Sequence, residues 1–138
     1  MGLHSIQEFI KYKRLSKERQ GVHSPFLYSL IENVLRGKSA KSLTDRLIDF
    51  FDDENVLQLT EKYPAHWEEA YGVLLKDMRQ RTVIVIPSIH KSEHHTAAWN
   101  RLRNRSEVRM SIDLYNHGLL FYREDFREKK HYTLKYPY

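Results

Sequence analysis

The sequence predicts a doubly wound α/β protein of reduced size, in which about four strands form a sheet between two layers of helices. Two observations support this prediction. Residues 82–86 are an uncharged run of β-branched residues, as expected of a strand that helices cover on both faces. Residues 108–114 and 119–122 flank the turn sequence Tyr115-Asn116-His117-Gly118, which predicts a C-terminal antiparallel hairpin.

The first half of the chain shows helical spacing with clear start and stop signals. Residues 5–19 have apolar positions near the helical period, and Gly21 ends this segment. Ser24 can cap a second helix that begins at Pro25, carries an apolar stripe as far as Leu35 and closes at Gly37. Ser42 or Thr44 can cap a third helix that runs through Phe51.

The second half alternates predicted strands and helices. Asn55 to Leu59 is expected to form a short buried strand, and Pro64 is expected to begin a helix. The inner face of that helix is predicted to contain Trp67, Ala70, Tyr71, Val73, Leu74 and Met78. An amphipathic helix over residues 92–103 follows the central strand, and residues 132–136 form a candidate final extended segment.

Composition restricts the class of protein. A length of 138 residues suits one domain, in which residues 1–41 form a helical region and residues 42–138 form the α/β core. Apolar residues make up 41% and charged residues 30%, which is typical of a globular chain. No apolar run approaches the roughly 20 residues of a membrane span, and the N-terminus has no signal-peptide pattern, so the predicted location is cytoplasmic. The absence of cysteine excludes disulfides and thiolate chemistry.

The net charge of +5 is unevenly distributed. Residues 1–41 contain eight Lys or Arg against three Asp or Glu. This basic segment could attract nucleic acid or an anionic membrane, but its charges also fit the solvated face of a helix. A second basic run consists of Arg101, Arg103, Arg105 and Arg109. It keeps a small nucleic-acid-binding module open as an alternative function.

Several polar residues are candidates for chemistry without forming a diagnostic motif. His90 and His94 are weak candidate metal ligands, since no carboxylate partners occur at a recognisable spacing, and His94 and His95 are expected to face solvent. Asp113, on a predicted strand, could be a buried hydrogen-bond acceptor. His23 and Ser24 lie at a helix start without the glycine-flanked elbow of a hydrolase. We therefore predict no catalytic residues and no metal site.

Two segments carry a resemblance to a known family. Gly21-Val22-His23-Ser24-Pro25-Phe26, followed by an apolar helix, resembles the N-terminal signature of a class I S-adenosylmethionine-dependent methyltransferase-like family common in Bacteroidetes. Residues 83–90, 108–114, 118–123 and 132–134, together with Trp99, are similar to that family's last three strands and tail. The resemblance covers roughly two thirds of the chain. It implies a Rossmann-like fold and descent from methyltransferases.

The chain departs from this family where the cofactor would bind. The family's loop after the first strand contains an acidic residue and glycines, which let the backbone approach the cofactor. Here Gln58 and Thr60 occupy that region, and Thr60, Glu61 and Lys62 are expected to fill the space. Strands two to four of the family have no counterpart, and its acidic pair after the central strand is replaced by Pro87 and Ser88. The resemblance therefore implies that S-adenosylmethionine binding is lost.

From the loss of these strands we predict a function in protein association. The strand at residues 55–59 is expected to lie at a sheet edge, where unpaired main-chain groups invite pairing with another chain. The expected function is protein association without catalysis, as a homodimer or with an intact relative, through that edge or the apolar face beside Trp67 and Tyr71. One alternative is that the N-terminal helices cap the edge. Another is a rebuilt pocket near Gln58, Thr60, Ser88 and His90, at the carboxyl ends of the parallel strands.

Overall fold

The structure, a computed structural model, describes residues 25–36, 41–78, 82–123, 126 and 128–134. The predicted first helix at residues 5–19, the Ser24 cap and the Gly37 stop lie outside these residues. So do the last residues of the predicted C-terminal extended segment. No helix in the described ranges is long and apolar enough to cross a membrane.

Four α-helices accompany the sheet in the described ranges. Helix α1 (Pro25–Leu30) continues as a π-helical turn over Ile31–Leu35. Helix α2 (Leu43–Phe51) begins after Ser42, whose side chain accepts a hydrogen bond from the Asp45 N–H, so the predicted cap is confirmed. Helix α3 (Trp67–Leu75) follows a 3-10 turn at Pro64–His66, and helix α4 (Glu93–Arg103) is capped by Ser92.

Five strands form one mixed sheet in the order β1-β2-β4-β3-β5. They are β1 (Val56–Gln58), β2 (Val83–Pro87), β3 (Met110–Asp113), β4 (His117–Phe121) and β5 (Lys130–Thr133). Strand β1 runs parallel to β2, and β5 runs parallel to β3. Strand β4 lies between β2 and β3 and is antiparallel to both, which confirms the predicted hairpin.

Helices cover both faces of the sheet. Successive β2 side chains point to opposite faces, so they pack against different helical layers. Val83 and Val85 belong to one buried cluster, which includes α1 and α2, whereas Ile84 and Ile86 belong to the other. The second cluster contains Trp67 and Tyr71 of α3 and Trp99 of α4, together with other apolar residues of that face. The central strand is thus buried on both sides and the structure has three layers, as its uncharged β-branched sequence predicts.

A close contact fixes α4 against the sheet. A Cβ atom at Gly118 in β4 would lie 2.4 Å from Cζ3 of Trp99 and 2.6 Å from Cη2. Trp99 is 1% exposed, so its ring lies against the glycine in a fully packed interior. The prediction that Gly118 belongs to a turn is wrong, because this glycine is a strand residue that makes room for an indole.

Two other predictions differ from the structure. The sheet has five strands instead of about four, because residues 130–133 pair with β3 and begin earlier than the predicted extended segment at residues 132–136. Val73 is 61% exposed, so it does not belong to the inner face of α3, which consists of Trp67 and Tyr71 with partly buried neighbours. The reversal between β3 and β4 takes its left-handed residue at Tyr115, with φ of 70°.

Strand β1 ends the sheet on one side, as predicted. Among the described residues its only strand neighbour is β2. The Leu59 N–H donates to the Val85 carbonyl at 2.9 Å, which continues this pairing one residue beyond the strand. Main-chain groups of successive strand residues alternate in direction. Because Leu59 faces β2, the main-chain groups of Gln58 face away from the sheet.

Candidate functional site

A crevice of about 240 Å³ lies at the carboxyl ends of the parallel strands β1 and β2. Its walls are the segment that follows β1, the first residue of α3, the end of β2 and the first turn of α4. The lining residues are Thr60, Glu61, Lys62, Trp67, Pro87, Ser88, Lys91 and His95. In open α/β sheets this edge is where ligands bind, so the crevice is the leading candidate site.

Buried contacts hold the crevice open. The Trp67 indole N–H donates to the Glu61 carbonyl at 2.9 Å, which fixes the segment after β1 on α3. The Trp67 and His95 rings meet edge to face, with centroids 5.5 Å apart. The Ser88 N–H donates to the Asn116 carbonyl at 2.7 Å and holds Ser88 in a left-handed conformation with φ of 61°. Both sides of the crevice are thus attached to the sheet.

Positive groups outnumber negative ones around the crevice. Lys62 and Lys91 come from different segments, and Glu61 is the one carboxylate among the lining residues. Burial lowers the pKa of His95, and the nearby positive charges of Lys91 and His94 lower this pKa further. His95 is therefore neutral near pH 7. Its Nδ1 lies 2.7 Å from Ser92 Oγ, which leaves Nε2 as the ring nitrogen available to a ligand.

The four positions expected around a rebuilt pocket separate into two groups. Thr60 and Ser88 line the crevice, as predicted. Gln58 is an exposed strand residue, and His90 is buried in a different cluster, so neither of them is part of the lining. Thr60, Glu61 and Lys62 together form one wall of the crevice.

His90 forms a buried polar cluster with Asp113 and Thr96. Its Nε2 donates to Asp113 Oδ2 at 2.6 Å, and its Nδ1 lies 3.0 Å from Thr96 Oγ1. His90 is 6% exposed and its ring stacks on Tyr115 with a centroid distance of 5.6 Å. This cluster ties the end of β2 to the end of β3 and to the first turns of α4.

Asp113 also controls the chain reversal after β3. Its Oδ1 accepts a hydrogen bond from the Tyr115 N–H at 2.8 Å, a local bond typical of aspartate before a turn. A bulky residue with positive φ is strained, and here the hydrogen bond and the stacked His90 ring hold Tyr115 in place. The sequence-based suggestion that Asp113 is a buried acceptor agrees with this geometry.

The histidines do not form a metal site in the described residues. No group of three or more His, Cys, Asp or Glu side chains in these ranges could hold a metal ion. His94 is exposed, whereas His95 is half-buried against Trp67, so the expectation that both face solvent is wrong for His95. His117, opposite Pro87 in the β2 and β4 pairing, has a pKa lowered by burial.

The second basic run is largely engaged within the protein. Arg101 Nε lies 2.7 Å from Glu68 Oε1, and Arg105 Nε lies 2.7 Å from Glu107 Oε1. Arg109 donates through Nε and Nη2 to the Phe126 carbonyl. These contacts reduce the positive charge that the run offers to phosphate. The basic segment of residues 11–19 lies outside the described residues.

Three residues of the crevice wall, Trp67, Lys91 and His95, were not predicted to line a ligand site. Lys91 and His95 carried only weak signals, because a lysine after a strand and a histidine in a first helical turn are ordinary surface residues. Trp67 was assigned to the core, and it is 1% exposed, yet one side of its ring contributes to the crevice. The usable signal was positional, since both flanking segments follow parallel strands.

In comparisons with known proteins, no family model matches the chain, and neither a curated protein nor a solved structure matches it. The fold and the site define the chain as a three-layer α/β protein with a mixed five-stranded sheet and a small crevice at the carboxyl ends of β1 and β2.

Proposed function

We propose that this chain is a cytoplasmic, methyltransferase-like protein without an S-adenosylmethionine site, that it is not an enzyme, and that it acts by pairing with a second copy of itself. The observation that carries the proposal is the position of β1, whose only strand neighbour among the described residues is β2. Association through this strand extends the sheet across two chains.

Three features support the loss of the cofactor. The resemblance to the methyltransferase-like family places glycines and an acidic residue where this chain has Thr60 and Lys62. The crevice volume of about 240 Å³ is below the roughly 300 Å³ at which pockets begin to enclose drug-sized ligands. His90 is buried and has Asp113 Oδ2 and Thr96 Oγ1 at its two ring nitrogens, so its ring is not presented to a reacting group.

A second copy is the partner that suits a strand edge best. Antiparallel pairing of β1 with β1 of another copy uses the same main-chain groups on both chains, as twofold symmetry requires. Gln58 presents its outward main-chain groups for this contact. Val73 and Tyr63 are each 61% exposed and offer apolar surface in the segments that follow β1. The exposed face beside Trp67 and Tyr71 is therefore part of the proposed interface.

Gln58→Pro is expected to convert the dimer to a monomer. Proline removes the Gln58 N–H that points outward, while the hydrogen bonds from β1 to β2 use other residues and remain. Light scattering coupled to size exclusion at micromolar concentration measures the mass, and circular dichroism checks the fold. Gln58→Thr is the matched control, since it keeps the N–H, and it should remain dimeric.

Two outcomes count against association through β1. A monomeric wild type contradicts the proposal and favours the alternative in which the N-terminal helices cover the edge. A dimer that survives Gln58→Pro assigns the interface to another surface. Co-purification with an intact methyltransferase-like protein, in place of self-association, identifies the partner as a relative.

Calorimetric titration with S-adenosylmethionine is expected to give no saturable heat. The wall at Thr60 and Lys62 carries side chains where a cofactor needs bare backbone. The same titration with inorganic phosphate serves as an independent measurement on the same crevice. Saturable, stoichiometric uptake of S-adenosylmethionine contradicts the loss of the cofactor site, whatever the oligomeric state.

A further inference from the structure

We infer that the crevice at the carboxyl ends of β1 and β2 binds a small oxyanion, such as phosphate or a short carboxylate, between Lys62, Lys91 and His95. This inference does not depend on dimer formation, since all lining residues belong to one chain.

The volume of the crevice favours a small ligand. A volume of about 240 Å³ lies just below the range of pockets for drug-sized ligands, but far above the space that one water molecule needs. Phosphate, sulfate and carboxylates of a few carbon atoms fit this space. Of a nucleotide, the crevice would enclose the phosphate, while the sugar and base would extend into solvent.

The charged residues that line the crevice favour an anion. Lys62 and Lys91 both line the crevice, one in the segment after β1 and the other in the segment after β2. Glu61 is the opposing charge, and its Oε1 accepts a hydrogen bond from the Tyr63 N–H at 3.2 Å, so this carboxylate is turned toward its own segment. Lys62 forms no salt bridge within the described residues, although its ammonium group lies 6.0 Å from the Tyr63 ring centroid.

His95 supplies a directional donor. Ser92 Oγ accepts the His95 main-chain N–H at 3.3 Å as the cap of α4, so its hydroxyl hydrogen is free to be donated to His95 Nδ1. In a neutral imidazole this places the proton on Nε2. His95 lines the crevice together with two lysines, and this set of donors matches the several acceptor atoms of an oxyanion, because hydrogen bonds to an ionised acceptor are the strong ones.

The walls are rigid enough to form a site before a ligand arrives. Trp67 is fixed by its bond to the Glu61 carbonyl, and Ser88 is fixed by its bond to Asn116. The segments that carry Lys62 and Lys91 are therefore anchored within a few residues of each lysine. The main chain that carries both lysines is thus held in place before binding, which limits the entropic cost.

Two-dimensional ¹H–¹⁵N NMR at constant ionic strength tests this inference with inorganic phosphate in one series and acetate in the other. We expect saturable shifts that concentrate at residues 60–62 and 88–95. The double variant Lys62→Gln/Lys91→Gln should weaken binding by at least about tenfold, because it removes two charge-assisted hydrogen bonds. The relative strength of the two series distinguishes a phosphate from a carboxylate ligand.

Lys76→Gln is the matched control. Lys76 is an exposed lysine at the end of α3, outside the crevice lining, and its loss changes the net charge without changing the site. Binding by this variant should stay within about twofold of the wild type. Linear shifts without saturation, or equal weakening by Lys76→Gln and the double variant, would overturn the inference, since both results indicate diffuse surface attraction. Because the substituted lysines lie at the surface, spectra of the variants should show an unchanged fold.

Discussion

Gly118→Ala is expected to destabilise the protein by about 3 kcal/mol, at the upper end of the usual cost of overpacking a core. The added methyl group would lie 2.4 Å from the Trp99 ring, far inside van der Waals contact. The indole is buried and rigid, so it cannot move away unless α4 shifts from the sheet. Equilibrium unfolding in urea measures the loss as a lower transition midpoint with an unchanged slope.

The chain contains a matched control for this substitution. Gly72 lies inside α3, and a Cβ atom there would have no heavy atom within 4 Å. Gly72→Ala should therefore stabilise the protein by up to about 1 kcal/mol, the difference in helix propensity. In a Trp99→Leu background the smaller side chain should tolerate Gly118→Ala with less additional loss, which is the coupling expected of residues in contact. Full additivity of the two substitutions contradicts the proposed steric cause.

Asp113→Ala is expected to cost about 3 kcal/mol, because it leaves two donors without an acceptor. These donors are the His90 Nε2–H, at 2.6 Å from the carboxylate, and the Tyr115 N–H, at 2.8 Å. Loss of the second bond also releases the left-handed residue of the turn between β3 and β4. Thermal unfolding monitored by circular dichroism measures the effect, and the shifted resonances should extend from the turn to the start of α4.

Two comparisons separate this effect from a general loss of charge. Asp113→Asn keeps one oxygen acceptor, so it should retain part of the stability that Asp113→Ala loses. Asp49→Ala removes an exposed carboxylate that pairs with Lys41 at 2.5 Å, and exposed pairs of this kind contribute little. Equal losses for Asp113→Ala and Asp49→Ala would mean that the buried cluster does not hold the two strand ends together.

Local sequence signals predicted much of the fold. Residues close together in sequence determine these elements. They are the central strand at residues 82–86, the helix cap at Ser42 and the two strands of the hairpin. The predicted start of β5, at residue 132, lies after the observed start at Lys130. The segment Lys130-His131-Tyr132-Thr133 has little apolar pattern, and it pairs with β3 through long-range contacts. Gly118 was assigned to a turn for a similar reason: its role depends on Trp99, nineteen positions earlier in the sequence.

The candidate site was predictable in position but not in composition. The rule that ligands bind at the carboxyl ends of parallel strands located Thr60 and Ser88 correctly. The same rule could not predict that His95 lines the crevice and that His90 is buried away from it. His90 is drawn into the sheet by Asp113, and His95 is turned toward Trp67 by its place on α4. Such differences depend on the direction of side chains in space, which spacing along the chain does not contain.

The pairing of the strands determines the order in which parts of the sheet unfold. The inner contacts, β2 with β4 and β4 with β3, are antiparallel, and the hairpin joins the second pair through a short connection. Among the described strands, β1 and β5 at the two rims each have one neighbour, and both of these pairings are parallel. Each rim strand is therefore hydrogen-bonded along one edge, whereas β2, β3 and β4 are each paired along both edges. Solvent therefore reaches the main-chain amides of the rims first, and the three inner strands remain as the last cooperative unit.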